Sequence, residues 1–298
     1  HGDDRRQRQM CIRDSLKFYQ ILLIKKGIFM SEAYITSAVR TAVGSFNGSL
    51  ASLPAHDLGK VVIKEAISRS NLESADVEEV ILGQVLTAAT GQNPARQASI
   101  NAGLNKETPA WLVNQVCGSG LRSVALAYQS IMNGDADIII AGGQESMSQS
   151  PHCTYLRSGT KMGDDKLIDS MIKDGLWDAF NGYHMGTTAE NVAEKFQVTR
   201  DEQDKFALLS QEKAIKAQKE DKFKQEIINF KIKSKKAEIN FNKDEHPRVG
   251  MNLETLSRLK PVFKKDGTVT AGNASGINDG AAAVALMSRK DADKRGIK

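Results

Sequence analysis

Ile138-Ile139-Ile140-Ala141 is the segment that most narrows what this chain can become. Four apolar residues in a row, closed by Gly142-Gly143, offer no polar side to water. A strand made of them has to be covered on both faces, as parallel strands are. Upstream, strand and helix signals alternate from Met30 onward. A strand is predicted over Ala33–Val39, and an amphipathic helix over Asp57–Arg69 with Leu58, Val61, Val62, Ile63 and Ala66 mostly on one side. A strand over Val80–Leu86 follows, then a helix over Pro94–Ala102 with proline near its first turn. Next come a short apolar strand over Leu112–Val116 and a helix over Gly118–Met132, whose Leu121, Val124, Ala125, Tyr128 and Ile131 share a face. This order, βαβαβαβ, predicts an α/β layered domain.

After Gly142 the pattern changes. From about Ser148 to Gly276 the chain is polar and loop-rich, with helices expected rather than strands. One helix opens on the capping box Thr199-Arg200-Asp201-Glu202 and runs to about Lys219. Strand character returns at Ala281–Leu286, and Lys290–Arg295 begins a further helix. The simplest organisation is an α/β domain with an excursion of about 130 residues before its last strand, far longer than an ordinary loop and suited to a functional cover. No internal repeat, low-complexity tract or P-loop occurs.

Apolar residues make up 40% and charged residues 26% of the 298, the balance of a soluble globular chain. No run of about 18 apolar residues occurs, so no transmembrane helix and no membrane partner are expected. The net charge of +5 hints at nucleic acid until it is located. Residues 1–29 carry seven Lys/Arg against three Asp/Glu, which leaves 34 basic and 33 acidic residues elsewhere and no basic stripe. Those 29 residues also read unlike the rest. Their apolar cluster, Ile21 to Ile24, is shorter than the ~7–15 residues of a signal-peptide core, and Asp3, Asp4 and Asp14 are unlike a mitochondrial presequence. A non-native or disordered extension is expected there. The three cysteines, Cys11, Cys117 and Cys153, are too few and too scattered for a disulfide framework, and suit a reducing, cytoplasmic setting.

The strongest chemical signal is Val113-Asn114-Gln115-Val116-Cys117-Gly118-Ser119-Gly120-Leu121, a cysteine between a strand and a helix. Gly118 and Gly120 would let backbone approach a substrate. A helix N-terminus would favour the thiolate through its dipole and its unpaired N–H groups. A small, buried, inert cysteine is the competing reading, and by spacing alone the two stand level.

Five segments in order make the chain resemble the thiolases, and within them the short-chain acetyl-CoA acetyltransferases. They are Ser37-Ala38-Val39-Arg40-Thr41; Asn114 to Leu121; Gly142-Gly143-Gln144-Glu145-Ser146-Met147; His184-Met185-Gly186-Thr187-Thr188-Ala189-Glu190; and Thr270-Ala271-Gly272-Asn273-Ala274-Ser275-Gly276-Ile277-Asn278-Asp279-Gly280-Ala281-Ala282. The resemblance covers essentially all of residues 30–298. It implies that Cys117 is the catalytic nucleophile that takes the acyl group from a coenzyme A thioester. It further implies that His184 and Met185 lie beside the acyl group, with His184 positioning substrate rather than acting as general base. Leu176, Arg248, Phe263, Ala271, Ser275 and Gly276 would bind coenzyme A, Ser275 at the pantetheine arm and Arg248 near the phosphates. Cys153, His152 and Glu145 read as structural, and no ligand spacing suggests a metal.

The resemblance implies an α/β thiolase N-terminal domain at 30–147, an inserted loop domain for coenzyme A at 148–277, and the last strand of the first domain within 278–298. The family's Gly-His-Pro, Cys-x-Gly-Gly-Gly and Asn-Glu-Ala-Phe segments are absent from the sequence, so a C-terminally truncated thiolase is expected, a fragment inactive by itself, with slow or no acylation and no turnover. For the intact enzyme the resemblance implies acetyl-CoA, acetoacetyl-CoA and CoA as partners, no tightly bound cofactor, and a homotetramer in fatty acid metabolism. A longer-chain 3-ketoacyl-CoA thiolase, a ketoacyl synthase and a non-catalytic acyl-CoA-binding fragment stay open as alternatives.

Overall fold

A computed structural model describes residues 32–233 and 238–297. The extension at 1–29, with Cys11, lies outside the described residues. The centre is a six-stranded mixed sheet in the order β1-β12-β5-β3-β4, with the two-residue β2 (Gly44–Ser45) paired to the start of β12. Its strands are β1 (Ala33–Arg40), β3 (Glu79–Gly83), β4 (Ala110–Val113), β5 (Ile138–Ser146) and β12 (Asn278–Ser288). The β4, β3 and β5 strands run parallel, Ile81 opposite Ala141 and Gly83 opposite both Gly143 and Val113. The final strand, β12, inserts antiparallel between β5 and β1.

The apolar run behaves as its composition requires. Ile138 and Ile140 face one side with Val80 and Leu82, packed on helices α1 (Ala55–Arg69) and α2 (Pro94–Ala102). Ile139 and Ala141 face the other side with Ile81, against α3 (Ser119–Asn133). All four residues are fully or almost fully buried. On α3, however, only part of the apolar stripe expected from Leu121 to Ile131 packs, Val124 and Ile131 but not Leu121 or Tyr128. Leu121 is 78% and Tyr128 47% exposed, while Ser119, Ser123, Ala127 and Ile131 are buried. The reason is the close approach of helix to sheet. A Cβ on Gly83 would lie 2.5 Å from the Ser119 carbonyl carbon, so only small residues fit between them. Ser123 Oγ uses that proximity to donate to the Gly142 carbonyl at 2.6 Å.

Two strands end earlier than expected. The β3 strand stops at Gly83 rather than Leu86, and β4 at Val113 rather than Val116, because the next N–H groups go to side chains instead of a neighbouring strand: Val85 and Leu86 to Glu145, Gln115 to Ser119 and Val116 to Asn114. The excursion between β5 and β12 also holds strands where helices alone were expected: the pairs β6/β7 (His152–Cys153 with Ile168–Asp169), β8/β9 (Trp177–Asp178 with Tyr183–His184) and β10/β11 (Phe230–Lys233 with Glu238–Phe241). Each is local and short, so period-two patterning never develops. Its helices are α4 (Met185–Phe196), α5 (Arg200–Lys219), capped reciprocally by Thr199 and Glu202, and α6 (Leu253–Ser257). A final helix, α7 (Arg289–Arg295), follows β12. Arg40, at the end of β1, ties the excursion to the sheet. It donates to both Asp244 oxygens at 2.7 and 3.1 Å and to Glu226 at 2.7 Å, beneath the Phe223 ring. Burial opposes a charged Arg40, but the two carboxylates outweigh it and raise its pKa.

Candidate active site

Cys117 sits in the turn between β4 and α3, and that turn is strained. Val116, just before it, has φ 49°, a left-handed conformation that a β-branched side chain rarely adopts. Such a conformation costs on the order of 1–3 kcal/mol and persists only where neighbours impose it. Here Asn114 Oδ1 accepts from the Val116 N–H at 3.0 Å. Ser119 Oγ donates to the Val116 carbonyl at 2.6 Å and accepts from the Gln115 N–H at 2.8 Å. Asn114 and Ser119 thus close the turn from both sides and leave Cys117 exposed at its tip. The first residue of α3 follows two positions later. The helix start has no side-chain cap; the Gly118 and Ser119 N–H groups donate to the Gln115 and Val116 carbonyls of the turn at 3.1 Å, and the positive end of the helix dipole lies beside Cys117.

In front of Cys117 lies a cavity of about 450 Å³. It forms at the carboxyl ends of the parallel strands, the usual place for a site in an α/β sheet. Gly83 at the end of β3, Gly143 within β5 and Gly280 near the start of β12 lie on three adjacent strands there without side chains and make the room. Further walls come from Val85 and Leu86 after β3, from Thr41 and Arg40, and from Gly175 and Leu176. The last two end a π-helical turn, Met171–Leu176, a rare irregularity that often marks functional sites.

Glu145 lines the same cavity, and sequence reading missed it by treating it as structural. Along β5 the side chains alternate, so Glu145 shares a face with Ile139, Ala141 and Gly143, the face that carries α3 and Cys117. Its Oε2 accepts from the Val85 N–H at 2.8 Å and its Oε1 from the Leu86 N–H at 3.2 Å. Burial pushes the Glu145 carboxyl up to about 7, opposed by those two N–H groups and reinforced by Asp279. The register of β5 was the available signal: a carboxylate two residues beyond a glycine pair, on a strand face otherwise made of Ile139, Ala141 and Gly143.

The remaining predicted residues fall into three places. Leu176 joins Cys117 at the cavity. His184 and Phe263 meet each other, rings stacked at 4.8 Å and 19°. His184 also begins α4, its Nδ1 accepting from the Gly186 N–H at 2.9 Å. Gly186 has to be glycine, because a Cβ there would reach within 2.2 Å of the Phe263 ring. Met185 is partly exposed beside them, and neither His184 nor Met185 lines the Cys117 cavity. Arg248 stands apart, at a separate cavity of about 410 Å³ against α5. Ala271, Ser275 and Gly276 lie on the turn that leads into β12, Ala271 and Ser275 exposed. Gly276 admits the His246 ring, which a Cβ would touch at 2.4 Å.

That turn is held from beneath by buried carboxylates. Glu190 of α4 accepts from the Thr268 and Val269 N–H groups at 2.8 Å and from the Thr268 hydroxyl at 2.9 Å. Asp204 of α5 accepts from Asn273 Nδ2 at 2.9 Å and from Arg200 at 2.8 Å. Burial works against the Glu190 charge, yet the donors from Val269 and Thr268 prevail and hold its carboxyl below the usual range. Among the described residues, no group of three or more His, Cys, Asp or Glu converges as a metal site would, and no helix is long and apolar enough to cross a membrane.

Known proteins share this arrangement. The family described as "Thiolase, N-terminal domain" matches residues 33–290. An acetyl-CoA acetyltransferase of Paracoccus denitrificans is 59% identical over 268 residues, covering 90% of this chain and 68% of the relative. The cytosolic acetyl-CoA acetyltransferase of Rattus norvegicus is 54% identical over 266 residues, 89% of this chain and 67% of the relative. The crystal structure of the Bacillus anthracis acetyl-CoA acetyltransferase superposes with a TM-score of 0.88 at 38% identity, over 90% of this chain and 68% of that one. This chain therefore spans about two thirds of the length of these relatives. With an exposed cysteine at a strained strand–helix turn and a match running from the first strand to the last, the chain belongs to the thiolase family.

Proposed function

We propose that this chain serves acyl transfer between coenzyme A thioesters, the reversible condensation of two acetyl-CoA to acetoacetyl-CoA, with Cys117 as the acyl carrier. The carrying observation is Cys117 itself, exposed at the tip of a strained turn and opening into a cavity of about 450 Å³. In the first half-reaction the Cys117 thiolate attacks the carbonyl carbon of acetyl-CoA. A carbon–sulfur bond forms to Cys117, the bond to the coenzyme A sulfur breaks, and coenzyme A leaves as a thiolate that takes up a proton. The positive end of the α3 dipole, beside Cys117, supports negative charge there. In the second half-reaction a carbanion of another acetyl-CoA attacks the acyl group. The base for that step resides, by family resemblance, on a Cys-x-Gly-Gly-Gly segment that is not among these 298 residues.

The coenzyme A arm is assigned to the excursion: Ser275 and Gly276 at the pantetheine, Arg248 toward the phosphates, with Leu176, Phe263 and Ala271 alongside and His184 and Met185 flanking the acyl group. No tightly bound cofactor belongs to this chemistry. A cytoplasmic homotetramer in fatty acid metabolism completes the proposal. Relatives from bacteria and rat that share the name acetyl-CoA acetyltransferase support acetyl over longer acyl groups. The test is intact-mass analysis after incubation with acetyl-CoA. Slow gain of one acetyl group on Cys117, absent in Cys117→Ser, is expected, since the Gly-His-Pro segment that holds the family's base is not among these residues. Coenzyme A binding without any acyl-enzyme would leave only the non-catalytic reading.

A further inference from the structure

We propose that Glu145 is a positioning residue of the Cys117 cavity: its carboxylate clamps the Val85–Leu86 corner and thereby sets how large a group can reach the nucleophile. The proposal rests on the reading of Cys117 as the reactive thiol of this cavity. Three observations carry it. The Glu145 side chain emerges on the face of β5 that carries α3 and opens into the same cavity as Cys117. Its cross-strand neighbour on β12 is Gly280, so no side chain fills the space beside it. Each of its oxygens holds a different N–H of the corner, Val85 at 2.8 Å and Leu86 at 3.2 Å.

The corner has a second tie to β5. Gln84 Nε2 donates to the Leu86 carbonyl at 2.8 Å, and Gln84 Oε1 accepts from Gln144 Nε2 at 2.8 Å. The two consecutive residues Gln144 and Glu145 therefore hold the corner from opposite faces of one strand. Leu86 is the piece that is held, and it closes against the π-helical turn, where a Cβ on Gly175 would lie 3.5 Å from its Cδ2. Release of the corner opens the gap between Leu86 and Gly175, and the cavity widens at the wall that faces Cys117.

The clamp depends on the charge of Glu145. A carboxylate accepts at both oxygens, whereas a carboxylic acid carries a proton on one of them and holds one N–H well. The groups around it are few. Asp279 of β12 stands one register step away and is itself satisfied by the Ser148 N–H at 2.9 Å and hydroxyl at 2.6 Å. Arg40 lines the cavity but is engaged by Asp244 and Glu226. From α3 and its turn the only titratable group at the cavity is Cys117, and from the π-helical turn only Gly175 and Leu176 reach it. With the Glu145 carboxyl at about 7, the clamp tightens as pH rises through neutrality.

The experiment is alkylation of the full chain with two reagents, iodoacetamide and the bulkier N-phenylmaleimide, each read at Cys117 and Cys153 by peptide mass spectrometry. Both reagents need the same Cys117 thiolate, so the ratio of their rates cancels its ionisation and reports room alone. In the wild type the bulky-to-small ratio at Cys117 should fall as pH rises from about 6 to about 8. In Glu145→Gln, which can accept only one of the two N–H groups, the ratio should be high and flat with pH. The expected gain at alkaline pH is about tenfold, equivalent to about 1.4 kcal/mol. A merely structural Glu145 would shift the melting temperature and leave the pH dependence of the ratio in place. A flat wild-type ratio overturns the proposal even where the variant does not fold. A Glu145→Gln protein that retains the wild-type profile overturns it as well. Equal labelling of Cys117 and Cys153 by iodoacetamide would instead remove the reactive-thiol reading beneath it.

Discussion

The sheet layer and the excursion that covers it are held by different forces. In the layer, Val80, Leu82, Ile138, Ile140, Ala283, Ala285 and Met287 are buried among α1 and α2, with Ile81, Ile139, Ala141 and Leu286 buried beneath α3. The excursion buries few large apolar side chains and exposes many, Tyr155, Met162, Phe180 and Phe206 among them. Its order comes from buried or half-buried charges with full sets of partners: Glu190 on the Thr268–Val269 turn, Asp204 on Asn273 and Arg200, Asp244 on Arg40. Apolar burial is indifferent to pH and tolerant of direction, while charged hydrogen bonds are neither. A layer of the first kind makes a rigid platform for Cys117. A cover of the second kind has its geometry fixed at a few points and stays responsive to protonation.

The largest effect should come from the layer. Ile140→Ala removes a side chain buried between β3, β12 and α1 and should cost about 4 kcal/mol in denaturant unfolding. A loss under about 1 kcal/mol would mean that the layer is not what stabilises the fold.

A smaller effect separates the regions by the pH window in which each responds. The Glu190 pKa is depressed, so its stabilisation is present above the ordinary glutamate value of about 4.3 and is lost as pH falls below that. Burial raises the Glu145 pKa to about 7, so this buried carboxyl costs stability as pH rises from the ordinary value toward about 7, up to about 3 kcal/mol, and would cost more without the Val85 and Leu86 N–H groups, which favour its charged form. Amide exchange should show the Val85 and Leu86 N–H groups losing protection already as pH falls through about 7, and the Val269 N–H only under acid conditions. Loss in the same pH window at both places would erase the distinction.

The smallest effect is expected on the outer face of α3. Leu121→Ser should change stability by less than about 0.5 kcal/mol, because Leu121 is 78% exposed. A substantial loss in a melting experiment would show that this face is packed after all.

Much of this molecule was legible in its sequence. An unbroken apolar run such as Ile138–Ala141 admits only a strand covered on both faces, and a capping box such as Thr199 with Glu202 opens a helix wherever it lies. Both follow from rules that act over a few residues. The place of Cys117 between strand and helix was readable for the same reason, as were five segments in family order. Tertiary structure alone decided the rest, because each remaining feature depends on partners far apart in the chain. Glycine at 83 and 143 lets α3 come so near the sheet that Ser119, Ser123 and Ala127 pack while Leu121 and Tyr128 stay exposed. The last strand enters between β1 and β5 after the whole excursion has been completed. Phe263 finds His184 across 79 positions because Gly186 leaves the space. Glu145 becomes part of the nucleophile's cavity only when strand alternation, the side-chain-free Gly280 and the N–H groups of Val85 and Leu86 coincide at one edge of the sheet. A residue's own neighbours in sequence specify its conformation, but its chemistry is set by what the fold places within a hydrogen bond of it.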